Sequence, residues 1–122
     1  MEKGSKNWVF CDGYLPPAGD NPEFEGHEAL MLTNLNNEKA KIELTFIFED
    51  REPEKGIFVE LDGMRTTCVR LDKPMGENNF KLGLSVQYTI WVQSDVPICA
   101  CFGRLDVRQT NMAYYSVEGF TF

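Results

Sequence analysis

The residues able to do chemistry are few and scattered. His27 is the one histidine, so any imidazole chemistry must pass through it, and on a strand its neighbour Glu28 points to the opposite face. Acid–base catalysis needs a placed partner, and no local signature pairs His27 with a nucleophile; a structural or binding use is the expectation. The cysteines are Cys11, Cys68, Cys99 and Cys101. Cys99 and Cys101 stand two apart on one face of an expected strand, but no second short-spaced pair completes a four-ligand zinc set. They are read as small buried apolar residues. Gly76, Gly83 and Gly103 are isolated, so no phosphate-cradling loop is present. No catalytic set, metal site or cofactor is expected.

The segment Arg104-Leu105-Asp106-Val107-Arg108-Gln109 carries more information. On a strand, Arg104, Asp106 and Arg108 line one face at steps of about 6.7 Å, with Leu105 and Val107 on the other. Two guanidiniums around a carboxylate can be a surface ladder of small energetic weight. They can equally be a rigid set of donors for a polar ligand, because arginine offers a fixed planar fork. Arg65 and Arg70 flank another strand and point to opposite faces. Trp91 lies on the polar side of its strand beside Gln87, Thr89 and Gln93, which suits a subunit interface or a stacking platform.

Strands must position these groups. From Ile42 to Glu49 the chain alternates, Ile42, Leu44, Phe46 and Phe48 opposing Glu43, Thr45 and Glu49; from Val86 to Gln93 it alternates again. Such a period marks a strand with one buried face. Shorter candidates are Trp8 to Cys11, Ala29 to Thr33, Ile57 to Leu61, Thr66 to Leu71, Ile98 to Phe102 and Ala113 to Val117. Turn formers separate them, and Asp62-Gly63 between two strand-like runs signals a hairpin. No segment holds helical periodicity over three turns. The expectation is all-β: a single-domain antiparallel β-sandwich of about eight short strands over residues 1–122.

The chain has 122 residues, 43% apolar and 25% charged, with 19 acidic against 12 basic residues and a net charge of −7. That charge disfavours nucleic acid and anionic membrane as partners. No apolar stretch reaches the roughly 20 residues of a membrane span. MEKGSKNWVF lacks the apolar core of a signal peptide. The cysteines are therefore expected as reduced thiols in a cytoplasm.

Taken together, Asp12-Gly13-Tyr14-Leu15-Pro16-Pro17, His27-Glu28, Arg65 to Arg70, Gln93 to Ile98 and Arg104 to Gln109 carry a resemblance. In that order, from about Trp8 to Val117, the chain resembles the sensory rhodopsin transducer family, small β-sandwich proteins. The stretches from Asp72 to Gly83 and from Tyr114 to Phe122 depart from that pattern. The resemblance implies a homotetramer that binds a small polar metabolite, with sugars or related polar metabolites as the proposed ligands; the missing catalytic set adds the expectation that the chain is not an enzyme. It implies, as the alternative, signal transduction by docking a membrane receptor such as a sensory rhodopsin. Carried onto this chain, the candidate ligand-binding residues are Tyr14, His27, Glu28, Arg65, Arg70, Arg104, Asp106 and Arg108.

Overall fold

Two strongly alternating segments anchor the architecture. The computed structural model describes residues 3–19, 26–107 and 113–122. Within them lie eight strands: β1 (Ser5–Tyr14), β2 (His27–Asn34), β3 (Ala40–Phe48), β4 (Glu54–Leu61), β5 (Arg65–Arg70), β6 (Gln87–Asp106), β7 (Ala113–Val117) and β8 (Phe120–Thr121). All pairings are antiparallel, and no described residue is helical. The fold is all-β, as expected.

β6 organises it. Its first half, to Ile98, pairs with β1 and β3, giving a first sheet ordered β4-β3-β6-β1-β8. From Cys99 onward it pairs with β2 and then β7, giving a second sheet ordered β5-β2-β6-β7. The sequence breaks β6 into separate short strands because Asp95 and Pro97 punctuate it. In the structure Val96, Pro97 and Ile98 are buried where the strand passes between sheets. Proline cannot donate to a ladder; its carbonyl accepts from the Asn36 side chain at 2.9 Å.

The inward phases of both sheets form the core. Ile42, Leu44, Phe46, Ile90, Val92 and Phe10 face Leu30, Leu32 and Phe102. Tyr88 sits in that inward phase beside Phe46, their ring centroids 5.5 Å apart.

Two expectations need correction. Asp62-Gly63 does not close a hairpin: β4 pairs with β3, and β5 with β2. Asn34 Nδ2 donates to the Glu38, Leu61 and Asp62 carbonyls, and Met64 N donates to Asn36 O. The turn is thus tied to the β2–β3 turn and hands the chain from one sheet to the other. Nor are the cysteines buried. Cys11, Cys68 and Cys101 are exposed and Cys99 is half-exposed, because they occupy the outward phases of sheets covered on one side only.

Candidate functional site

Glu28 is fully buried in the inward phase of β2, where an isolated charge would be costly. Three donors among the described residues reach its carboxylate. The Tyr14 backbone N–H reaches both oxygens, at 3.1 and 3.0 Å. Tyr88 donates its hydroxyl to Oε1 at 2.6 Å, and Arg104 donates Nε–H to Oε2 at 2.8 Å. Antiparallel register makes this pair, since Glu28 lies directly opposite Arg104 in the β2–β6 ladder.

Arg104, 7% exposed, is held as tightly. Nη1 donates to the Tyr115 hydroxyl at 2.6 Å and Nη2 to the Asp12 carbonyl at 2.8 Å. Its guanidinium carbon lies 5.2 Å from the Tyr115 ring centroid and 6.0 Å from that of Tyr14, within cation–π range. Burial opposes its charge, yet the hydrogen bonds with Tyr115 and Glu28 hold it above the usual arginine value. Burial first, and the Glu28 charge second, push the Tyr88 phenol far above the ordinary tyrosine range. The network joins β1, β2, both halves of β6 and β7. It fastens the two sheets at one end of the sandwich.

Of the candidate residues, the structure brings together Tyr14, Glu28 and Arg104. Asp106 lies two positions beyond Arg104 in the same inward phase, 6% exposed. An exposed ladder of Arg104 and Asp106 is therefore not what forms. His27 follows the alternation onto the outer face, opposite Leu105. Arg65 lies at the far end of β5, opposite Asn34, and donates to Met64 O at 3.0 Å. Six residues of strand, about 20 Å, separate that level from Glu28. Arg70 pairs across from Ala29 on the outer face and makes a two-pronged bond to Asp72 at 2.7 and 2.7 Å. Burial opposes ionisation of Asp72, but the Arg70 guanidinium leaves its carboxyl below the usual value. Arg108 lies outside the described residues.

The sequence reading missed Tyr88, Tyr115 and the Asp12 carbonyl. Tyr88 left a usable signal: a tyrosine in an apolar phase must find a partner for its hydroxyl. Among the described residues no three of His, Cys, Asp and Glu converge as metal ligands.

A second feature lies on the outer face of the first sheet. Phe120 pairs across from Val9, and Val9 from Trp91, so the three share a face. Trp91 packs against Phe122 at 6.3 Å between centroids and donates Nε1–H to Asn7 Oδ1 at 3.1 Å. Phe120 and Phe122 are 66% and 70% exposed, and Ile47 continues the face across Thr89. These residues themselves carry no charge, and Glu43, opposite Gln93, lies on the same face beside them.

The family model described as Anabaena sensory rhodopsin transducer matches residues 3–121. Among solved structures, the Thermotoga maritima protein 1070 is 32% identical, with 98% of this chain and 96% of that chain covered and a TM-score of 0.85. The Anabaena sensory rhodopsin transducer is 25% identical, with 84% of this chain and 90% of that chain covered and a TM-score of 0.69. No curated protein matches.

Proposed function

The chain belongs to the Anabaena sensory rhodopsin transducer family, and on that premise we propose that it is a non-enzymatic relay that docks a membrane receptor of the sensory rhodopsin kind from the cytoplasmic side. The observation that carries the reading is the exposed aromatic patch of Val9, Trp91, Phe120 and Phe122. Exposed aromatics on a rigid sheet are the usual anchors of a protein interface. The net charge of −7 suits a basic receptor face and speeds encounter at low salt. No helix among the described residues is long and apolar enough to cross a membrane; in this reading the chain meets the receptor at the bilayer surface.

Titration of the purified chain against a sensory rhodopsin in nanodiscs tests the proposal. Saturable binding that weakens with added salt supports it, and absence of binding at low salt removes it. The homotetramer implied by the family belongs to the same reading, and sedimentation analysis reporting four chains per particle would support it.

A specific observation also favours a second reading, binding of a small polar metabolite such as a sugar. Tyr14 and Tyr115 flank the Arg104 guanidinium where the cluster meets the surface, and rings beside hydrogen-bond donors suit a hydroxyl-rich ligand. A thermal-shift screen of sugars and sugar acids tests it. A ligand at 100 times its Kd adds about 2.7 kcal/mol. A shift lost in Tyr14→Ala, whose backbone N–H still serves Glu28, would support this reading; a silent screen would set it aside.

A further inference from the structure

The outer face of the second sheet carries sulfur in register. Met31 lies directly opposite Cys101 across the β2–β6 ladder, and Thr33 opposite Cys99. The alternation Cys99-Ala100-Cys101-Phe102 turns Ala100 and Phe102 to the core and both thiols outward. Met31 is half-exposed beside them. We propose that Cys99, Cys101 and Met31 form a binding site for a soft monovalent cation, Cu(I).

Geometry separates this from a redox pair. Two residues apart on one strand face, the Cβ atoms of Cys99 and Cys101 are about 6.7 Å apart. A disulfide requires a Cβ–Cβ distance of about 3.5–4.5 Å, so the two thiols cannot join without breaking the strand. An ion between them adds two metal–thiolate bonds of about 2.3 Å each, and the two side chains leaning together close the remaining span. Cys68, across β2 on the far side of Met31, is two strand spacings, about 10 Å, from Cys101 and outside the set.

The donor set selects the ion. Zinc requires four nitrogen, oxygen or thiolate ligands in a tetrahedron, and no three such residues converge among the described residues. A thioether is of little use to zinc, whereas thiolate and thioether together suit Cu(I). The Met31 Cβ lies about 5 Å from that of Cys101, and its flexible side chain can reach a point between the thiols. On binding, two copper–thiolate bonds and one copper–thioether bond form. The two S–H protons pass to solvent, and copper stays in its Cu(I) state. This face lies on the opposite sheet from the aromatic surface, so the inference stands independently of receptor docking.

Competition for Cu(I) against bicinchoninate, with the full reduced chain, tests the site. One Cu(I) per chain is expected to move from chelator to protein. Cys99→Ser or Cys101→Ser should weaken binding about a hundredfold or more, and Met31→Leu about tenfold, by loss of one soft ligand. Cys11→Ser and Cys68→Ser should leave affinity unchanged. The substituted groups are outward-facing, and an unchanged thermal midpoint verifies the fold of each variant. Failure to take Cu(I) from the chelator would overturn the proposal. So would uptake that survives the double Cys99→Ser, Cys101→Ser change.

Discussion

The Arg104 side chain is the residue on which the buried cluster turns, because among the described residues it alone supplies a counter-charge to Glu28. Removing one partner of a buried pair strands the other, at a cost of about 3–5 kcal/mol. Arg104→Ala should therefore lower chemical-denaturation stability by that amount. Tyr88 makes a second prediction, in alkali. Its phenol is held above its ordinary value of 10.0 in the folded protein, by burial first and by Glu28 second. The contribution is complete below the unfolded value and declines as pH rises past it, since the unfolded chain then releases a proton that the folded chain keeps. Between about pH 10 and 11 the parent should lose about 1 kcal/mol more stability than Tyr88→Phe, the difference in slope approaching about 1.4 kcal/mol per pH unit only at higher pH. Little of this was legible in advance. Glu28, Tyr14 and Arg104 all stood among the candidates, but Arg65 and Arg70 stood there equally. Only the β2–β6 register, across 76 positions of sequence, decides which arginine meets the carboxylate.

Elements were more legible where one face is buried. β3 and the first half of β6 alternate so regularly that their inward residues could be named, because period two admits a single orientation per register. The continuity of β6 was not legible. Pro97 reads locally as a break and serves as the crossing between sheets. The outward cysteines run against the usual burial of a free thiol, although Ala100 and Phe102 take the inward phase beside them and leave Cys99 and Cys101 the outer face. β1 makes a prediction of its own. Its register shifts between Phe10 and Gly13, and at Gly13 a Cβ would lie 2.4 Å from the Tyr88 ring. That ring is pinned by its bond to Glu28 and cannot retreat. Gly13→Ala should cost about 1–3 kcal/mol by overpacking, read as a lower thermal midpoint.

At the scale of the whole molecule, the sandwich separates three regions. One end holds the Glu28–Arg104 fastening, the outer face of the second sheet holds the sulfur set, and the outer face of the first sheet holds the aromatic surface. The family and the all-β class were accessible from short blocks spread along the chain. Of the aromatic surface only Trp91 was, because the patch gathers Val9, Trp91, Phe120 and Phe122 from both termini and the middle of the sequence. The two-residue strand β8 that places Phe120 beside Val9 is too short to leave a periodic signal. The most direct test of the account compares two variants for affinity to a sensory rhodopsin in nanodiscs: Trp91→Ala with Phe122→Ala, and Tyr115→Phe. Loss of two interface anchors should weaken docking by about tenfold or more, while Tyr115→Phe, at the buried cluster, leaves it unchanged. Undiminished docking by the aromatic variant, with loss on Tyr115→Phe, would contradict the account and move the working surface to the Arg104 end.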